Sequence, residues 1–147
     1  MKKHTKHNFK AFTLLELMIV IVIMGLLATI VMPRILNRPE QARRTKALVE
    51  IRNIESALAL FKTDTGRFPA TSEGLTVLVS NPGGINGYNS DGYLKRVPLD
   101  PWGNPYIYIS PGPNSKDYDL ESYGKDGENG GTGDGADIEN WNLDQQP

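Results

Sequence analysis

The stretch from Ser122 to Ile138 holds the residues whose types and spacing most directly suggest chemistry. Asp126, Glu128, Asp134 and Asp137 alternate there with six glycines, in a loop with too few apolar side chains to bury itself. Carboxylates held that close repel one another unless a cation joins them, and a hard divalent ion with oxygen ligands is the economical answer. Calcium suits a flexible loop offering carboxylates and backbone carbonyls, whereas magnesium demands stricter octahedral geometry. Known calcium patterns do not match in full. The EF-hand pattern finds Gly130 at its third acidic position and no closing Glu, and the β-helix nonapeptide is nearly met by Gly130-Gly131-Thr132-Gly133 but finds Gly135 where it needs Asp. A solvated acidic loop with no ligand is the alternative that composition leaves open.

Other chemistries have less support. The chain contains no cysteine, which excludes a disulfide scaffold and cysteine-ligated zinc or iron–sulfur sites. Its only histidines, His4 and His7, lie in a basic N-terminal stretch, and no nucleophile, base and orienting group form a recognisable set. Paired carboxylates in residues 117–137 leave general acid–base work open, so a membrane-anchored periplasmic enzyme is kept as an alternative. There is no phosphate-binding loop, so any energy input must come from elsewhere.

The elements that position this loop follow from a sharply uneven chain. Residues 12–32 contain 17 hydrophobic residues out of 21. As a helix they would span roughly 31 Å, the thickness of a bilayer core, and predict a transmembrane segment. Residues 1–11 carry Lys2, Lys3, Lys6 and Lys10 and no acid, which predicts a cytoplasmic N-terminus and an extracytoplasmic remainder. A secretory signal peptide is disfavoured, because the apolar run is long and Val31-Met32-Pro33 offers no small-residue cleavage site. Glu16 fits a plain anchor badly, since an ionised carboxylate within an apolar run asks for a partner. The reading that follows is a pairing with a cation of another chain inside the membrane; a place in the first helical turn, where the helix dipole favours an anion, is the alternative.

Residues 33–67 place Ala47, Leu48, Ile51, Ile54, Leu58 and Phe61 at steps of three and four, predicting an amphipathic helix that Pro33 and Pro39 kink or interrupt and Gly66 ends. The segment's net charge of +4 reads as a solvated helix face and not a nucleic-acid surface, because a single aromatic residue, Phe61, falls among the basic ones. Residues 68–147 hold every proline except Pro33 and Pro39 and all but two of the glycines, so their elements must be short. Thr71-Ser72-Glu73 reads as the cap of a short helix over 75–79, residues 92–98 as a brief edge strand, and residues 106–109 and 117–123 as strands. An α+β fold results, with a small antiparallel sheet packed on the helix stripe.

Lys10-Ala11-Phe12-Thr13-Leu14-Leu15-Glu16 resembles the class III signal of type IV pilins and type II secretion pseudopilins. Glu73-Gly74-Leu75, the stretch from Val97 to Tyr106, and Ser110-Pro111-Gly112 resemble the major pseudopilin in particular. The resemblance implies a pilin-like fold, a long N-terminal helix with a transmembrane half and an amphipathic half packed on the sheet. It divides the chain into a cleaved leader (1–11), a transmembrane and filament-core helix (12–32), an amphipathic helix (33–67) and a periplasmic β domain with a calcium loop (68–147). It also implies cutting by prepilin peptidase between Ala11 and Phe12, methylation of the Phe12 amine, and an assembly role for Glu16, neutralising the N-terminal ammonium of a neighbouring subunit.

For the loop, the resemblance implies a structural calcium ion held by the Tyr123 carbonyl, the Asp126 and Asp137 carboxylates and the Glu128 carbonyl, with Asp134 substituting where Ala136 replaces a family acid. The implied function is that of a structural subunit of the type II secretion pseudopilus, polymerising through its N-terminal helix to drive export of folded periplasmic proteins. Its partners would be copies of itself, minor pseudopilins, prepilin peptidase, the inner-membrane secretion platform and membrane lipid, with no nucleic acid. A single-pass inner-membrane location is implied, with the pseudopilus as the assembled form. A type IV pilin or minor pseudopilin is the alternative, disfavoured by the missing cysteine pair.

Overall fold

The computed structural model describes residues 13–36 and 38–145. The chain divides into two compact units, residues 1–38 and 39–147. The first contains α1 (Leu14–Leu36), and the second contains α2 (Arg38–Thr65, counted from Pro39) and the three short strands β1 (Ile107–Ile109), β2 (Asp119–Ser122) and β3 (Ile138–Glu139). Short 3₁₀ turns cover Leu75–Leu78, Gly133–Gly135 and Asn140–Gln145.

In α1, the Thr13 hydroxyl accepts a hydrogen bond from the Glu16 N–H at 3.2 Å, which caps the helix and leaves Glu16 in its first turn. The large apolar side chains from Leu14 to Leu27 are exposed. Among the described residues, no helix is long and apolar enough to cross a membrane. The expected transmembrane half of the fold, and with it the single-pass inner-membrane location, are corrected by this finding. What the described residues show is two α-helices and a small three-stranded antiparallel sheet. Ala11, Phe12 and the leader 1–11 lie outside the described residues. Pro33 does not end α1, which continues to Leu36. Pro39 stands in the first turn of α2, where a missing N–H costs least.

The helical stripe read from the spacing is the core of the second unit. Ala47, Ile51, Ile54, Leu58 and Phe61 are wholly buried, and Leu48 packs at the margin. Each of the larger side chains contributes about 1.5–3 kcal/mol by leaving water. They meet Leu75, Val77 and Leu78 from the first 3₁₀ turn and Tyr106, Tyr108, Leu120 and Ile138 from the sheet side. Phe61 also meets Tyr88 and Tyr93 edge to face, with centroids 6.1 and 5.4 Å away. Gly66 ends α2 as expected: its φ is 80°, and its N–H donates to the Lys62 carbonyl at 2.8 Å.

The sheet order is β1-β2-β3, antiparallel throughout. The strand expected over 92–98 does not form. The N–H groups of Tyr93 and Leu94 donate instead to the Leu78 carbonyl, at 2.7 and 2.9 Å, which ties this segment to the 3₁₀ turn. Gly92 allows the approach, because a Cβ there would stand 2.7 Å from the Val79 carbonyl oxygen. The expected Thr71-Ser72-Glu73 cap does not form either, since Gly74 precedes the turn with no side-chain cap. Glu73 serves another purpose. It accepts both Arg67 guanidinium nitrogens, at 2.6 and 2.7 Å, and the Ala70 N–H at 2.7 Å.

The Arg67 hydrogen bonds and the Ala70 N–H hold the Glu73 carboxyl well below the usual carboxylate range, at about 2. Its stabilising effect is therefore complete above the unfolded pKa and is lost as the pH falls through the folded one. Glu73→Gln is expected to lower the thermal midpoint at neutral pH, with the gap to the unaltered chain closing as the pH falls from about 5 towards 2. Thermal melts across that range check this; a pH-independent gap would contradict it.

Candidate metal centre

The carboxylates converge because of how β2 is threaded. Alternation along the strand sends Leu120 into the core and Asp119 and Glu121 to the other face. Ser122 follows Leu120, and its hydroxyl donates to Asp100 Oδ2 at 2.7 Å. The antiparallel register sets Glu121 directly opposite Glu139 and Ser122 opposite Ile138. With Asp137, just before β3, the two glutamates form an acidic cluster whose ligand atoms lie within 4.8 Å of one another, a set of oxygen donors suited to a metal ion. The cluster opens into a cleft of about 410 Å³, whose lining also includes Asp119, Tyr123 and Asn129.

The two acids on this face of β2 are in opposite situations. Burial alone would raise the Asp119 carboxyl, but hydrogen bonds from Asn114 and Ser115, at 2.8 to 2.9 Å, outweigh it and hold the group below its usual range. Among the described residues, Glu121 has no such donors. Burial first, and then the charges of Asp137, Glu139 and Asp119, push its carboxyl up to about 6. Burial also raises Asp137, whose Oδ2 accepts the Gly130 N–H at 2.7 Å; Asp126 adds to the rise, and Arg44 opposes it. Arg44 further ties the loop to α2, donating to the Ala136 carbonyl at 2.7 Å.

Of the residues read from the sequence, Tyr123 and Asp137 line the cleft. Asp126, Glu128 and Asp134 are exposed and lie outside its lining among the described residues. Asp126 is close enough to act on Asp137 electrostatically, and its Oδ1 accepts the Glu128 N–H at 3.2 Å. Asp134 sits in the 3₁₀ turn Gly133–Gly135. Glu121 and Glu139 were missed. The signal for Glu121 was its period-two spacing from Asp119, but β3 is only two residues long, and nothing local announces its pairing.

The glycines pack the loop around Asp126. A Cβ at Gly135 would collide with Asp126 Oδ2, and one at Gly131, where φ is 86°, would collide with the Gly135 carbonyl and stand 3.0 Å from Asp126 Oδ2. At Gly130, where φ is 101°, a Cβ would meet nothing within 4 Å. Gly131→Ala is therefore expected to lower stability by about 1–3 kcal/mol, and clearly more than Gly130→Ala, which bears only the backbone strain. Thermal melts of both variants check this, and equal losses would contradict it.

Two family profiles match the chain: "Prokaryotic N-terminal methylation motif" over residues 6–32 and "Type II secretion system (T2SS), protein G" over residues 34–141. A Pseudomonas aeruginosa protein named type II secretion system core protein G is 47% identical over 133 residues, covering 88% of this chain and 93% of the relative. Its Vibrio cholerae namesake is 46% identical over 145 residues, covering 97% of each. The crystal structure of the major pseudopilin from the type 2 secretion system of enterohaemorrhagic Escherichia coli matches with a TM-score of 0.61 at 38% identity, over 74% of this chain and 94% of that one. The chain belongs to the type II secretion system protein G family, and its role in secretion is that of a structural pseudopilin subunit, not an enzyme.

Proposed function

We propose that this chain is the repeating subunit of a pseudopilus, polymerising through α1, and that its C-terminal loop is stapled by calcium. The observation that carries the reading is the succession on one chain of a methylation motif over 6–32 and a protein G match over 34–141. The exposed apolar strip of α1 formed by Leu15, Met18, Ile19, Val22 and Ile23 suits helix-to-helix packing between subunits. Prepilin peptidase removes residues 1–11, cutting between Ala11 and Phe12, and methylates the Phe12 amine. Glu16 then meets that ammonium group on a neighbouring subunit, and each buried charge satisfies the other and sets the register. Minor pseudopilins and the secretion platform are the other partners.

Calcium is the ion that fits an oxygen-only donor set on a glycine-rich loop. The Tyr123 and Glu128 carbonyls and the Asp126, Asp134 and Asp137 carboxylates are its ligands in this reading. The bound ion supplies positive charge where acids crowd, and the residues themselves supply the orientation. In a small domain without cysteine, such an ion replaces the covalent staple that a disulfide gives other small folds.

The test is to overproduce the full-length chain, recover filaments and weigh their subunits. The reading expects subunits lacking residues 1–11 and carrying one added methyl group, and no filaments from Glu16→Ala. Filaments of unprocessed chain, or normal assembly by the variant, would contradict it.

A further inference from the structure

We propose that Glu121 and Glu139, with Asp137, ligate a divalent cation of their own in the cleft, which clamps β2 to β3. The carboxylates the structure buries elsewhere have donors. Glu40 accepts the Trp102 indole N–H at 2.5 Å and pairs with Arg43 and Lys125, each at 3.5 Å. Asp100 accepts the Trp102 and Asn104 N–H groups and the Ser122 hydroxyl, at 3.0, 2.7 and 2.7 Å. Asp119 is held by Asn114 and Ser115. Glu121 is the exception: it is 8% exposed and lines the cleft, and among the described residues no hydrogen bond or ion pair reaches its carboxylate.

Directly across the ladder stands a second carboxylate, Glu139, and like charges opposite each other weaken a strand pair. Strand β3 contributes only Ile138 and Glu139 to hold the chain that leads into the last 3₁₀ turn. A buried acid without a donor, facing a second acid across so short a ladder, is costly in the absence of a cation. With one, the carboxylate oxygens of two strands and of Asp137 become a bridge. Tyr123 and Asn129, both oxygen-bearing, line the same cleft, and oxygen ligands are what calcium takes. Arg44 acts on Asp137 electrostatically and donates to the Ala136 and Gly133 carbonyls.

Asp137 and Tyr123 belong to the loop ligands proposed above as well, but Asp126 belongs to that set alone and Glu121 and Glu139 to the cleft alone, so the two readings fail separately. The experiment titrates calcium into the purified, metal-stripped full-length chain by calorimetry, with thermal melts alongside, for the unaltered chain, the double variant E121Q/E139Q and D126N. E121Q/E139Q is expected to lose at least about tenfold in calcium affinity and most of the calcium-induced rise in melting midpoint. Without metal it should melt at or above the unaltered chain, because the repulsion is gone. A loss in E121Q/E139Q with D126N unchanged upholds the cleft site and sinks the loop reading. A calcium isotherm for E121Q/E139Q that matches the unaltered chain overturns the proposal. So does a metal-free double variant that melts well below the unaltered chain.

Discussion

The second unit depends on one apolar stripe. Ala47, Ile51, Ile54, Leu58 and Phe61 recur along one face of α2, and the 3₁₀ turn at Leu75–Leu78, the tyrosines of the sheet and Ile138 fold back to cover them. The segments that cover this stripe contribute a few apolar residues each, at most three in the 3₁₀ turn. Leu120 is the strand's share, and once it points inward, Asp119 and Glu121 must point to the other face. The acidic cleft is therefore a consequence of how the core is filled.

That consequence sets the electrostatics of the fold. Carboxylates at the edge of a small core are tolerated where donors are built around them. The Asp100 turn and the Asn114–Ser115 turn are two such constructions, each using backbone N–H groups aimed at one acid. At Glu121 no donor reaches the carboxylate among the described residues, and the charges that act on it are those of Asp137, Glu139 and Asp119. Glycine makes the neighbouring loop possible, since Gly131 and Gly135 leave room for the Asp126 carboxylate where a side chain would not. The chain concentrates negative charge on a segment that has no covalent cross-link to hold it.

Much of this was legible in the sequence, and what was not has physical causes. The α2 stripe and the stop at Gly66 follow from local periodicity and local backbone preference, and both are present. The strands around Ile107–Ile109 and Asp119–Ser122 were readable from β-prone alternation. The segment around Gly92 has no such signature, because its backbone is claimed by the Leu78 carbonyl, a tertiary contact. Glu73 fits a helix cap by composition but is drawn away by Arg67. Apolar composition over residues 12–32 pointed to a bilayer span, which the described helices do not provide. The Glu121–Glu139 pairing depends on a register between strands separated by the whole loop, so it could be seen only in three dimensions. The loop acids themselves were plain from composition, although the residues that line the cleft are a different selection.

Membership of the protein G family makes the chain a structural part of a secretion machine. For this chain, a cation that neutralises the crowded acids is the central physical claim. Thermal unfolding of the metal-stripped full-length chain, with calcium and then with excess chelator, tests it most directly. The account predicts a midpoint at least about 5 °C higher in calcium, reversed by the chelator. A midpoint that is the same in both would contradict it.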